Sequence, residues 1–207
     1  MPHALPTPER MAYRALLARM VTDLPVHPLP MLRACRNTRV MSFAQAAEAL
    51  SMRPEFLDAL LDGADAITFR EPGEDPGLAP EYARYIVIYR PEGNPARLRF
   101  TLAHELGHRI LGHTGHSPRE EREADTFASH LLCPQPVLER LARRGVLTAE
   151  MVSATCYVTC ACARQLSQRP RLPDDPLLNA VDRLLGAAAD AAEPVVSLPD
   201  QHPLTLG

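Results

Sequence analysis

The stretch from Arg99 to Leu111 constrains this chain most, because its small and apolar residues at 100, 103, 106, 107, 110 and 111 recur at the period of a helix with one face in a core. Thr101 is the expected N-cap, and Gly112 and Gly115 are the expected stops. On that helix His104 and His108 stand one turn apart, about 40° and about 6 Å from each other, so both imidazoles can reach one metal ion. Glu105 points about one residue's rotation away, near enough to hydrogen-bond a water on that ion without ligating it. The pattern is that of metal-dependent hydrolysis.

Such a site needs a third protein ligand. An extended HExxHxxGxxH motif is excluded, because Leu111 stands where its glycine belongs and Thr114 where its third histidine belongs. His113 and His116 follow the helix stop and read as a polar loop. A carboxylate from the next helix remains. Ser117-Pro118 opens that helix, with acids in its first turn and Pro134 as its stop, and its inner stripe is Ala124, Phe127, Ala128, Leu131 and Leu132. Measured from Ala124, Glu120 lies about 40° from the stripe, Glu121 about 60° and Glu123 about 100°, so periodicity alone favours Glu120. Glu121 and Arg122 read as solvated surface. Asp125 could orient a ligand histidine through its free ring nitrogen, but reads first as helix-surface acidity. His130 shares a face with Glu123 about 10 Å further along, too far to ligate the same ion.

RFTLAHELGHRILGH followed by EREADTFASHLLCP resembles the ImmA/IrrE family of bacterial metallopeptidases, closely over residues 83 to 134. The resemblance extends loosely to LPVHP at 24–28 and VTCACARQL at 158–166. It implies a mostly helical, zincin-like α+β domain with a small, about three-stranded sheet beside the HExxH helix. It also implies that Glu123, the glutamate before Ala124, is the third ligand, which chooses against the helical wheel. Cys133 replaces the family's methionine and reads as a small core residue. The implied activity is that of a zinc-dependent endopeptidase with Glu105 as general base, acting on a helix-turn-helix repressor of a mobile element or stress response. The alternative is a non-proteolytic antirepressor or antitoxin-like binding protein with a metal site. Zn2+ is expected from two nitrogens and one oxygen, although Mn2+ or Fe2+ can occupy the same set. For the oxyanion, Tyr157, Tyr85 and His130 all stay open.

The remainder bounds the domain. Residues 1–170 read as the metallopeptidase domain: a helical part over 1–65, the sheet and active-site helices over 66–134, and a helix pair over 139–170. Residues 171–207 hold two arginines against six acids, net −4, and read as an acidic Pro/Ala-rich flexible tail with one weak helix near 178–192. Strands are expected at 66–70 and 84–90, and a front helix over 8–20. No apolar run reaches 18 residues and no signal peptide is evident, so a soluble cytoplasmic protein is expected. The five cysteines, Cys35, Cys133, Cys156, Cys160 and Cys162, lack the CxxC pairs of a structural zinc site and read as thiols.

Direct nucleic-acid binding is not expected. Net charge is −3, and the helix pair at 42–50 and 54–61 carries Glu55 and Asp58 where a recognition helix would show Arg, Asn or Gln. A second candidate pair at 148–154 and 158–168 offers only Arg164 and Arg169 toward phosphates.

Overall fold

Two short strands flanking one fully apolar strand set the frame. The computed structural model describes residues 7–49, 51, 53–71, 82–113, 115 and 117–192, so His116 and the last fifteen residues of the expected tail lie outside the described residues. Ten helices and three strands follow in chain order within them: α1 (Thr7–Ala18), α2 (Pro28–Arg33), β1 (Thr38–Ser42), α3 (Phe43–Ala49), α4 (Pro54–Leu61), β2 (Ala66–Arg70), β3 (Tyr85–Tyr89), α5 (Pro95–Leu111), α6 (Pro118–Leu132), α7 (Gln135–Arg143), α8 (Ala149–Cys156), α9 (Cys160–Ser167) and α10 (Pro176–Ala191).

β3 reads Tyr-Ile-Val-Ile-Tyr, and all five residues are buried, as a central strand covered on both faces requires. β1 pairs with it in parallel and β2 antiparallel, giving the order β1-β3-β2. Ile86 and Ile88 meet Met41, Ala46 and Leu57 in a small cluster under α3 and α4. Val87 and Tyr89 face the other way, into the main core with Leu102, Leu106, Phe127 and Leu131. The α3–α4 pair therefore caps the sheet, and Asp58 of α4 is ion-paired with Arg90. The fold is mostly helical α+β, with a small mixed sheet.

α5 begins six residues before its expected cap. Asn94 accepts a hydrogen bond from the Arg97 N–H at 3.0 Å, and Pro95 supplies a first residue whose φ is already helical. Thr101, the expected N-cap, lies inside the helix, and its hydroxyl donates back to the Arg97 carbonyl. Gly112 ends the helix as expected, at φ 74° in the left-handed region. Arg99 anchors α5 to two distant segments, donating to the carbonyls of Val26 and Tyr157. Burial pulls its pKa down to about 10.

α6 packs on α5 across a point where neither helix presents bulk. A Cβ on Gly107 would stand 3.1 Å from a Phe127 ring carbon and 3.2 Å from the Ala124 Cα. Gly107→Ala is therefore expected to lower stability by about 1–3 kcal/mol, although alanine is the better helix former, because backbone must move to admit the methyl group. Equilibrium urea unfolding of the variant checks this; an unchanged or raised midpoint would contradict the close crossing.

The C-terminal part differs from its expectation. Instead of a loose tail from residue 171, α10 packs against α1 and α7, burying Leu178, Val181, Leu185 and Ala189. Those four positions recur at 3, 4 and 4 residues, a stripe that the acidic average of the segment obscures. Arg140 of α7 lies over Gly186 and pairs with Asp182 at 2.6 Å. α8 and α9 place Val152, Cys156, Ala163 and Leu166 in the same core, and Cys133 is fully buried there.

His130 is buried in this core, 2.7 Å from the Tyr13 hydroxyl, which donates to its Nδ1 while accepting from the Gln135 N–H. Burial, reinforced by the charge of Arg169, lowers the His130 pKa from 6.5 to about 3. The unfolded chain therefore takes up a proton near pH 6.5 that the folded chain refuses, and stability is lost as pH falls through that window. Between pH 7 and pH 5 this group alone is expected to remove about 2 kcal/mol of folding stability. Urea unfolding of wild type and His130→Asn at both pH values measures the effect; equal losses in the two proteins would contradict it.

Candidate metal centre

The crossing at Gly107 and Ala124 decides which side chains meet. His104 and His108 leave α5 on one side of it, with their Nε2 atoms 2.9 Å apart. Glu121 of α6 stands over both, its carboxylate oxygens 3.1 Å from His104 Nε2 and 3.5 Å from His108 Nε2. One ligand atom from each of His104, His108 and Glu121 lies within 4.8 Å of the other two. Two imidazole nitrogens and one carboxylate oxygen at this spacing form a donor set suited to a divalent transition metal such as zinc.

The far sides of both rings are also engaged. His104 Nδ1 is 2.8 Å from Asp125 Oδ1. His108 Nδ1 is 3.0 Å from His113 Nδ1, His113 Nε2 is 3.2 Å from Glu123 Oε2, and Glu123 Oε1 accepts from Arg119 Nε at 2.8 Å. These contacts are satisfied together when His104 and His108 each keep a proton on Nδ1 and donate it outward, with His113 passing the pattern on to Glu123. Both Nε2 lone pairs then point at the same space, the orientation that metal-binding histidines require. Burial of the His104 ring opposes its protonation. The hydrogen bond it donates to Asp125 and the charges of Glu105, Asp125 and Glu121 outweigh that and hold its pKa above the ordinary histidine value. The Glu123 carboxyl is held below the usual range by Arg119 foremost, with help from His113.

Glu105 is 6% exposed, one residue along α5 from His104, and is the buried carboxylate nearest the pair in sequence. Of the three candidates for stabilising an oxyanion, Tyr85 lines a cleft together with His108. Tyr157 instead carries the Arg99 guanidinium 5.1 Å over its ring, and His130 is bonded to Tyr13 in the core.

Three glutamates here depart from their sequence reading. Glu123, the expected third ligand, is not brought to the histidine pair but lies on His113 and Arg119. Glu120, favoured by periodicity, closes a capping box with Ser117, accepting from the Ser117 N–H at 3.0 Å. Glu121, read as solvated surface, takes the place beside the pair. The reason is directional. Counted from Ala124, Glu120 and Glu123 fall about 40° and 100° to one side, whereas Glu121 and Asp125 fall about 60° and 100° to the other, the side on which α5 carries its histidines. His113, read as loop, supports His108.

Residues 64–165 match the family model described as the IrrE N-terminal-like domain, a peptidase family. Through this region the chain belongs to the ImmA/IrrE family of metallopeptidases. The match spans β2, β3, α5 to α8 and most of α9, and so contains every residue of the centre described above. No curated protein and no solved structure matches the chain. A peptidase-family domain implies a protein substrate, and no helix among the described residues is long and apolar enough to cross a membrane.

Proposed function

We propose that the protein is a zinc-dependent endopeptidase whose metal is held by His104, His108 and Glu121, and whose substrate is a helix-turn-helix transcriptional repressor. One observation carries the metal assignment: two Nε2 atoms and a carboxylate converge while both Nδ1 atoms are already engaged, by Asp125 and by His113. A divalent ion there supplies Lewis acidity that polarises a peptide carbonyl and acidifies water.

The chain's own residues do the rest. Glu105 accepts the proton of the attacking water as the new C–O bond forms, then delivers it to the amide nitrogen as the C–N bond breaks. Burial favours this double role, because a carboxylate shielded from bulk water exchanges its proton with the reactants. Asp125 and the His113–Glu123 pair hold the ligand rings against rotation. β2 is an outer strand of the sheet among the described residues and packs against α5, so an extended substrate segment can lie along its outer edge. The repressor as substrate is what the ImmA/IrrE resemblance implies.

Incubating the purified, zinc-loaded protein with a small helix-turn-helix repressor, encoded beside it if one exists, tests the reading. Discrete fragments are expected, abolished by a chelator and restored by added zinc. An intact repressor under conditions that leave both proteins folded would overturn the substrate assignment.

A further inference from the structure

Beside the metal centre the sheet forms a cleft of about 140 Å³, lined by Thr68 and Arg70 of β2, Tyr85 of β3, and His108 and His113. Arg70 is directly opposite Tyr85 in the antiparallel register and Thr68 is two residues from Arg70, so the three side chains share one face of the sheet. Thr68 is 7% exposed and Tyr85 3%. Neither the Thr68 hydroxyl nor the Tyr85 hydroxyl has a hydrogen-bond partner among the described residues. Buried hydroxyls without partners lower stability, and two of them lining one cleft beside a metal-binding histidine point to a ligand rather than to packing. Two guanidinium groups flank the Tyr85 ring. Arg70 lies 6.0 Å from the Tyr85 ring centroid and Arg109 4.4 Å from it.

We propose that this cleft is a specificity subsite that receives an aspartate or glutamate side chain of the substrate, next to the scissile bond. A cleft of about 140 Å³ has room for a short side chain such as that of aspartate or glutamate. The two hydroxyls donate to the carboxylate oxygens, beside the Arg70 and Arg109 guanidinium groups that flank the Tyr85 ring. The subsite rests on the peptidase reading above and adds to it a residue preference.

The test uses the zinc-loaded full-length protein and a peptide library derived from a digested proteome, with cleavage sites read by mass spectrometry. Aspartate and glutamate are expected to be enriched at one fixed position beside the cut. Matched peptides carrying Asp, Asn or Leu at that position then give kcat/KM ratios for wild type, Tyr85→Phe and Thr68→Val. Each substitution is expected to lower the Asp-to-Leu ratio about tenfold, the loss of one hydrogen bond to a charged group. Both variants are expected to melt at or above the wild-type Tm, since each sheds a buried hydroxyl with no partner. Cleavage without acidic enrichment, or a ratio that survives both substitutions, overturns the subsite and leaves the peptidase standing. A uniform loss on all three peptides also overturns it, assigning Tyr85 to the reaction centre instead. No cleavage by wild type at all overturns the peptidase reading together with the subsite.

Discussion

Glu105→Gln is expected to bind zinc as wild type does and to lose peptide-bond hydrolysis by roughly 10²- to 10⁴-fold, the range associated with a positioned general base. The amide keeps the shape of the side chain but cannot accept a proton, and Glu105 is not among the side chains that converge with the two histidines. Metal content and cleavage should therefore separate completely in this variant, measured by zinc analysis and by product formation from the repressor. In cells the same substitution should abolish relief of repression. Full relief by a variant that no longer cuts would favour the non-proteolytic antirepressor over the endopeptidase.

The second large effect concerns metal affinity. With the ligand set proposed above, Glu121→Gln removes a ligand and is expected to weaken zinc binding by more than the roughly 10- to 100-fold typical of losing a group that merely orients a ligand. Asp125→Asn removes the acceptor for His104 Nδ1, and Glu123→Gln weakens the support of His113, so both should fall within that 10- to 100-fold range. Competition with a chromophoric chelator gives all three constants in one experiment. The order Glu121 far above Asp125 and Glu123 is the expected result. If Glu123→Gln produced the largest loss, the α6 carboxylates would have exchanged roles.

How much of this was legible in the sequence varies with the kind of information needed. His104, Glu105 and His108 belong to one helix, so their relation is fixed by helical geometry and needs no tertiary contact. The carboxylate from α6 depends on how two helices cross, and a helical wheel gives angles without saying which side of the stripe faces the partner. The angles alone ranked Glu120 first, yet the same sequence contained a corrective: Ser117 and Glu120 are spaced as a capping box, which commits that carboxylate to the helix start. Glu121 and Asp125, four residues apart and therefore on one side, could have been recognised as a pair serving the two faces of one imidazole. His113 could not, because its contact with His108 depends on how the chain turns after Gly112.

The fold shows the same division. β2, β3 and the cap of α6 follow from local pattern, and both strands lie within a residue of their expected bounds. β1 carries no strand pattern of its own, because Thr-Arg-Val-Met-Ser buries a single side chain and owes its strand character to pairing with β3. α5 starts early because Asn94-Pro95 is a stronger initiator than Thr101, which donates within the helix instead. The acidic, proline-rich average around α10 masks how well formed its own apolar stripe is.

Zinc-edge anomalous diffraction from crystals grown with zinc tests the central claim most directly. The account predicts one peak within about 2.0–2.2 Å of His104 Nε2, His108 Nε2 and a carboxylate oxygen of Glu121, with Asp125 still on His104 Nδ1 and Glu123 still on His113. A peak coordinated by Glu123 or Glu120 in place of Glu121, or histidine rings turned so that their Nε2 atoms no longer face one another, would contradict it.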